Sequence, residues 1–290
     1  MVLLQTVVSG LGIGSLYALA AIGLVLIFKT SNVVNFAQGE MAMISTFIAY
    51  QFLEKWGAPY WLAFLAAVVF ALVFGWFVQW AFLSRLSSAN LLNQIIVTLG
   101  LFLVLEGAAG LIWGNVPTSF PTAVSTQPVH AAGVVMTWNE IFIACVTVVF
   151  MLIFYALFKY TMIGLAMRGV AQNIIAAKLM GISGKQIFGW TWAVSTLLGA
   201  VAGILIAPTL FLSPAFMDVV SVKAFAAAVL GGFSSLPGAV VGGLLLGVIE
   251  NIFGIYVSSA LKTTFVFALI IVVLYIRPTG LFGKKEVKKV

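Results

Sequence analysis

The chain has 290 residues, of which 63% are hydrophobic and only 7% are charged, and its mean hydropathy is +1.21. Because soluble domains carry about 25% charged residues, this composition excludes a soluble globular protein. It predicts an all-α polytopic membrane protein with about eight to nine transmembrane helices. The net charge of +7 does not indicate a nucleic-acid-binding surface, since the basic residues are scattered at the ends of apolar stretches and cluster only in the tail. The single cysteine, Cys145, excludes a disulfide within the chain.

The apolar stretches divide the chain into predicted membrane spans, each of which needs about 20 residues to cross the hydrocarbon core. The first six lie at 6–28, 36–53, 60–83, 91–113, 139–158 and 190–212. Two more, at 239–256 and 263–276, follow a shorter stretch at 222–233 that ends in a Ser-Ser-Leu-Pro-Gly turn signal. The short stretch is predicted to be either a ninth crossing or a re-entrant half-helix.

The distribution of basic residues predicts the orientation of the chain. With nine crossings and the tail inside, 11 of the 14 Lys and Arg residues fall at inner span ends. The others would lie outside: Lys55, Lys223 and Lys262. The positive-inside rule favours this orientation, which places the N-terminus and the uncharged loop at 114–138 outside. A re-entrant 222–233 would put the tail outside and weaken the bias, so we prefer nine crossings and a basic cytoplasmic tail at 284–290.

A polar segment at 160–189 interrupts the apolar pattern with three basic residues and no acidic one. Within it we predict a short helix over 171–182 that ends at Gly181. The apolar residues at helical spacing share one face: Ala171, Ile175, Leu179 and Ile182. A helix of this kind on the basic side of the membrane would either dock to a cytoplasmic partner or rest on the lipid interface. The spacing alone does not decide between them.

Two acidic residues, Glu106 and Glu250, fall within predicted spans. Ionised carboxylates are costly in lipid, so these side chains should face a bundle interior, a partner or a water-filled path. Either could instead be protonated, or paired structurally with a basic or amide group. No chain of further acids or histidines accompanies them, which argues against a proton-coupled carrier.

No catalytic constellation is visible in the sequence. The only histidine, His130, lies in the uncharged outer loop and is more typical of an ordinary surface residue than of a metal ligand. There is no Gly-x-x-x-x-Gly-Lys phosphate loop. We therefore predict no metal, no cofactor and no enzymatic activity in this chain. If ATP drives transport here, another chain must bind the nucleotide.

The connection between the first two spans, 32–40, concentrates polar groups in a short turn on the inner side. Asn35, Gln38 and Glu40 lie here. One interpretation is structural, with Asn35 as the N-cap of the second span and Glu40 near the positive end of its dipole. The other places these amides and the carboxylate at the inner mouth of a transport pathway.

The motif Asn-Phe-Ala-Gln-Gly-Glu at 35–40 and the segment 171–182 resemble features of one family. These features are the Asn-Phe-Ala-His-Gly-Glu signature and the cytoplasmic loop of the permease subunits of bacterial ABC importers for branched-chain amino acids. The glycine-rich stretch at 223–243 and Arg-Pro-Thr-Gly-Leu-Phe-Gly at 277–283 also match in order, and Glu250 fits the acid that follows the glycine-rich stretch. The compact length resembles the shorter, LivH-type permease, and the family also includes permeases for urea and short amides.

The resemblance implies a pathway subunit that pairs with a second permease, two cytoplasmic ATPases that bind ATP and Mg, and an extracytoplasmic substrate-binding protein. The loop around Ala176, Ala177 and Gly181 would be the coupling helix seated in an ATPase cleft, and this gives the apolar face of Ile175 and Leu179 a partner. Two departures matter. Gln38 replaces a frequent histidine, and the two isoleucines at 174–175 replace a frequent Pro-Glu, so the ATPase contact would be more apolar here.

The predicted function is therefore that of a non-catalytic permease in the bacterial inner membrane, with a single transmembrane domain over 1–290. Its cargo would be branched-chain or other small amino acids. A urea, short-amide or aromatic-acid importer is the alternative within the family. An ATP-independent carrier or channel is the alternative from another class, and a structural membrane scaffold is a third. The sequence does not decide whether the two permeases of the complex are identical.

Overall fold

A computed structural model describes residues 2–86, 91–131 and 134–283, with the backbone alone at 130, 131 and 134. The predicted tail at 284–290 and the side chain of His130 therefore lie outside the described residues. Eleven α-helices, one short 3₁₀ turn (Leu83–Leu86) and two strands make up the described part of the chain. The elements are α1 (Val2–Ser31), α2 (Gln38–Glu54), α3 (Tyr60–Ala81), α4 (Leu91–Trp113), β1 (Pro128–Ala131), β2 (Val134–Thr137), α5 (Trp138–Tyr160), α6 (Met162–Gln172), α7 (Ile174–Leu179), α8 (Gly184–Leu210), α9 (Phe216–Gly231), α10 (Leu236–Tyr256) and α11 (Lys262–Ile276).

Each of the nine predicted apolar stretches forms a helix, which confirms the all-α membrane fold. Within the described ranges, six helices are long and apolar enough to cross a membrane: α1, α3, α4, α5, α8 and α10. The other three are shorter, with 17 residues in α2, 16 in α9 and 15 in α11. At 1.5 Å per residue α9 is about 24 Å long, less than the roughly 30 Å hydrocarbon core.

Side-chain contacts give the directions of the helices. The C-terminal end of α1 and the N-terminal end of α8 line the same cavity, so these two long helices run antiparallel. α10 packs antiparallel on α1, and α3 packs antiparallel on α8, as the glycine contacts along both pairs show. α2 runs parallel to α8 because Gln38 lies near Gly199 whereas Thr46 lies near Gly203.

These contacts form a structural repeat that the sequence did not reveal. α1–α4 and α8–α11 have the same pattern of neighbours: the first helix of each set packs on the third helix of the other, and the second packs on the first of the other. Because α1 and α8 are antiparallel, the two sets have inverted topology. α5, α6 and α7 connect them. Inverted repeats of this kind are common in membrane transporters.

Both repeats bend in the same way after their long helix. α1 is followed by Asn32 with φ 56°, and α8 is followed by Phe211 with φ 58°. In each case the chain turns back into the protein, with Val33 and Leu212 buried. The next helix, α2 or α9, therefore begins inside the bundle and not at a membrane surface. This re-entry explains why both helices are short.

Glycines allow close packing between α1 and α10. A Cβ on Gly243 would lie 2.5 Å from the Cα of Ala18, and one on Gly14 would lie 2.8 Å from the carbonyl oxygen of Gly243. Close approach of this type drives helix association in lipid, where apolar burial alone does not. Gly14 and Gly243 therefore allow two helices of the same chain to pack closely.

Two features outside the helices fix the ends of the bundle. β1 and β2 form an antiparallel hairpin that an all-α prediction did not include. The side-chain amide of Gln5 pairs with it, donating to the Val135 oxygen at 2.5 Å and accepting from the Val135 N–H at 2.8 Å. At the opposite end, the N–H groups of Leu281 and Phe282 donate to the last carbonyls of α9. The 277–283 motif thus closes the C-terminal end of α9.

Candidate functional site: polar groups inside the helix bundle

The turn before α2 is buried, with Asn35 and Gln38 both inside the protein. Asn35 was predicted as an N-cap, but the capping position is Ala37, which makes no side-chain cap. Instead the Asn35 side chain accepts from the Ala37 N–H at 3.1 Å and donates to Gln38 Oε1 at 3.3 Å. It stabilises the re-entrant turn two residues ahead of the helix.

Gln38 connects α2 to both long helices. Its Nε2 donates to the Ser195 carbonyl oxygen at 2.8 Å. The Ser195 hydroxyl lies 2.8 Å from the Gly23 oxygen and 3.0 Å from Gln38 Oε1, and donates to one of the two. We call Gln38, Ser195 and the Gly23 carbonyl the neutral pin. Ser195 is the twelfth residue of the 27-residue α8, so the pin lies near the middle of the bundle.

Glu40 is fully buried, and neither of its carboxylate oxygens has a hydrogen-bond partner. Its carboxyl group faces Asp218 in the first turn of α9, and Glu106 of α4 is close enough for its charge to act on Glu40. The first turns of α2 and α9 touch, since a Cβ on Gly39 would overlap Ser221 Oγ. Glu40 is therefore close to a second predicted pathway residue, Glu106, and to a third acid, Asp218.

Glu250 lies apart from that group, in a buried ion pair. Its Oε1 is 2.6 Å from Lys223 Nζ, which also donates to the Tyr17 hydroxyl at 3.1 Å. We call Tyr17, Lys223 and Glu250 the ionic cluster; it joins α1, α9 and α10. The charge of Glu250 is neutralised inside the protein by this lysine, although its Oε2 has no hydrogen-bond partner among the described residues, so the structural alternative for Glu250 fits the geometry better than a role in an open path.

The ionic cluster corrects one step of the orientation argument. Lys223 was counted among the cations outside the membrane, whereas it is buried between helices near the midpoint of α1. It follows that only Lys55 and Lys262 remain of the cations assigned to the outer side. The correction strengthens the charge bias that placed the polar segment inside.

The polar segment at 160–189 forms two helices, and the prediction of one helix over 171–182 was wrong at Asn173. This residue has extended backbone geometry, and its side chain accepts from the N–H groups of Ile175 and Ala176 at 2.9 and 3.0 Å. Asparagine favours such capping positions over helix interiors. Ala171 consequently belongs to α6 and does not share the apolar face of α7.

The predicted end of the helix at Gly181 is confirmed. Gly181 has φ 82° and donates to the Lys178 oxygen, while the Ile182 N–H donates to the Ala177 oxygen. These two bonds form a Schellman motif, which needs a residue with positive φ and therefore favours glycine. Both ends of α7 are fixed by their own sequence.

α7 divides the predicted coupling residues between two environments. Ile175, Leu179 and Met180 are 69%, 84% and 82% exposed, and we call them the apolar cap. Ala176 and Gly181 are also exposed. Ala177 is only 6% exposed and packs toward the protein. A cavity of about 640 Å³ lies behind α7, between it and the ends of α1 and α3.

Sequence reasoning missed Asp218, Ser195 and Tyr17. Asp218 had a detectable signal, since it is an acid in an apolar stretch, but the predicted span began at 222 and left it in a loop. Ser195 and Tyr17 gave no signal, because their role depends on which helices become neighbours. Among the described residues there is no group of His, Cys, Asp or Glu side chains arranged to hold a metal ion.

The match to known proteins spans nearly the whole chain. Residues 6–274 match the family described as the branched-chain amino acid transport system permease component. The chain belongs to this family.

The curated relatives include the high-affinity branched-chain amino acid transport permease LivH of Escherichia coli, 32% identical, with 99% of this chain and 97% of LivH covered. BraD of Pseudomonas aeruginosa, named for the same transport, is 33% identical, with 99% of this chain and 98% of BraD covered. FruF of Bifidobacterium longum, named as a fructose import permease, is 27% identical, with 89% and 73% covered.

Among solved structures, the chain resembles PsaBC from Streptococcus pneumoniae in complex with a Fab. The TM-score is 0.52 at 13% sequence identity, and the match covers 95% of this chain and 91% of that one. At this identity the likeness shows a shared fold only.

Proposed function

We propose that this chain is a transmembrane permease subunit of an ATP-driven importer for branched-chain amino acids. The observation that carries the proposal is the identity of 32–33% with LivH and BraD over 97–98% of their length, since both are named for that transport. The match to the fructose permease FruF is weaker, with 27% identity over 73% of that protein. The chain itself carries no nucleotide-binding motif, so ATP and Mg bind to partner ATPases.

The assembly contains a second permease, two ATPases and an extracytoplasmic binding protein, and the chain forms one transmembrane domain over 1–290 in the inner membrane. Two features support an inward-facing α7: the basic residues around it, and the correction that moved Lys223 out of the outer set. The apolar cap is the part of α7 available to an ATPase, because Ala177 is turned inward.

The geometry supports a route for coupling. α7 connects to α8 through 180–183, and α8 carries Ser195 of the neutral pin. A displacement of α7 by closing ATPases would shift α8, and through Gln38 it would act on the first turn of α2, where Glu40 lies. The route therefore follows the backbone of α8 to Ser195 and then the buried Gln38–Ser195 hydrogen bonds to the first turn of α2, two residues before Glu40.

Reconstitution tests the proposed function. The chain is placed in liposomes with and without the second permease, ATPases and binding protein encoded beside it, and ATP-dependent uptake of leucine and of urea is measured. We expect leucine uptake only in the complete assembly. Uptake by this chain alone would establish a carrier or channel instead, and preferential uptake of urea would place it with the amide importers.

Leu179→Asp tests the docking surface. It places a charge in the apolar cap without disturbing the inward face of α7, so we expect the ATPases to be lost from the purified complex while the permease stays folded. Gln186→Asp adds the same charge at an exposed position in the first turn of α8, outside the cap, and should retain them. Normal ATPase retention by Leu179→Asp would contradict the docking assignment.

A further inference from the structure

The first turns of α2 and α9 meet where the two inverted repeats cross. α2 enters the bundle from the side of α7, whereas α9 enters it from the side of the β-hairpin. Their first turns carry one acid each, Glu40 and Asp218, and these face each other. In many secondary transporters built from inverted repeats, substrate sites lie at this interface near the bilayer midplane, at helices that begin within the membrane.

The negative charges around Glu40 are not balanced by a neighbouring positive charge among the described residues. Both charges that act on Glu40 are negative, those of Asp218 and Glu106. The two Glu40 oxygens and Asp218 Oδ1 are buried without a hydrogen-bond partner. Glu250 also has one unpartnered oxygen, Oε2, but unlike Glu40 it has a cation beside it, with Lys223 Nζ 2.6 Å from its Oε1. Unpartnered carboxyl groups at this depth are expensive unless a proton or a cationic ligand completes them.

The two acids differ in access. Glu40 is fully buried, and Asp218 is partly exposed on the surface of the protomer. Two adjacent carboxyl groups cannot both ionise readily. A cationic ligand at this pair relieves the repulsion between them, and Asp218 is the member that it can reach from the surface, with the fully buried Glu40 behind it. Glu106, the third acid near Glu40, is also partly exposed.

We propose that Glu40 and Asp218 form a binding site for a primary ammonium group, the amino end of an amino-acid cargo, with Asp218 as the contacting residue and Glu40 as its positioning partner. The proposal rests on the proposed function, because the cargo reaches this face only if the chain lines a pathway. An ammonium donates three hydrogen bonds and carries one positive charge, which completes the unpartnered oxygens. Urea and neutral sugars lack such a charge.

The test uses the complete assembly in proteoliposomes, with leucine as the probe. Asp218→Asn removes the charge and keeps the shape, so leucine uptake should fall about ten-fold or more, the effect of losing a charge-assisted hydrogen bond. Asp218→Glu restores the charge and should recover part of the uptake. Glu40→Gln changes the acid behind Asp218 and leaves the contacting carboxylate in place, so it should cause a smaller loss than Asp218→Asn. Glu54→Gln, an exposed acid at the far end of α2, is the matched control and should match the wild type.

Two further readouts separate binding from folding. ATP hydrolysis stimulated by the loaded binding protein and the thermal midpoint of the complex should persist in Asp218→Asn. If the pair were only structural, removing a charge from the bundle would leave leucine uptake unchanged, and uptake within two-fold of the wild type would overturn the proposal. Absence of leucine uptake by the wild-type assembly would instead refute the proposed function.

Discussion

The two inverted repeats use different chemistry to anchor their short second helix. In α1–α4, α2 is held to its long neighbours by the neutral pin of Gln38 and Ser195. In α8–α11, α9 is held by the ionic cluster of Lys223, Tyr17 and Glu250. The same arrangement of helices can therefore be anchored either by neutral hydrogen bonds or by a buried ion pair. The difference matters because a buried ion pair is costly to open, whereas a single amide contact can be exchanged at modest cost.

The contrast suggests different roles for the two anchors. The ionic cluster fixes α9 to α1 and α10 through a buried ion pair. The neutral pin lies on the helix that leads to α7, where a partner would act. Of the three substitutions that follow, two measure the difference between the anchors and one tests the glycine contact between α1 and α10; they are described from the largest expected effect to the smallest.

Lys223→Met should have the largest effect, because it leaves Glu250 buried without a cation. Removing one member of a buried ion pair costs about 3–5 kcal/mol, and the thermal midpoint of the purified permease should fall accordingly. Lys223→Met combined with Glu250→Gln removes both charges and should recover most of the loss. If the single variant is as stable as the double variant, the ionic cluster does not anchor α9.

Gly243→Ala tests the glycine contact that holds α10 to α1. The added methyl would lie 2.5 Å from the Cα of Ala18, so the helices must separate. Overpacking of this kind costs about 1–3 kcal/mol, read as a lower thermal midpoint. Gly12→Ala on α1 is the matched control, since its added methyl meets nothing within 4 Å. Equal stability of the two variants would show that the contact between α1 and α10 can adjust.

Ser195→Ala should have the smallest effect. It removes a hydroxyl from the neutral pin, while Gln38 Nε2 keeps its bond to the Ser195 backbone oxygen. A single neutral hydrogen bond contributes about 1 kcal/mol, which predicts a small shift in thermal midpoint. A loss as large as that of Lys223→Met would remove the distinction between the two anchors.

The sequence was sufficient for the helices but not for their arrangement. Apolar stretches and turn signals are local, so 91–113 was predicted with the bounds that the structure shows, and Gly181 was placed correctly as a helix end. The repeat could not be recognised in the sequence because the two sets of helices share contacts and not side chains. For example, an amide holds α2 to its neighbours, whereas a lysine holds α9.

The polar residues of the bundle were only partly predictable for the same reason. Glu40, Glu106 and Glu250 stand out because each is an acid in an apolar context. What each one faces depends on distant helices: Glu250 pairs with a lysine 27 positions earlier, and Glu40 meets an acid from the other repeat. The break at Asn173 was a local feature that helical periodicity concealed. An asparagine at this position is compatible both with one continuous helix and with two helices, until its backbone geometry is known.

The two fixed ends of α7 have a consequence for association. An isolated helix of six residues would be mostly unfolded in water. Here Asn173 closes its first turn and Gly181 its last, so the apolar cap already has its shape before any other subunit arrives. Binding then requires little loss of conformational entropy. The apolar cap is therefore preorganised for binding. The shapes of its side chains, and not folding on contact, decide how well it fits a partner.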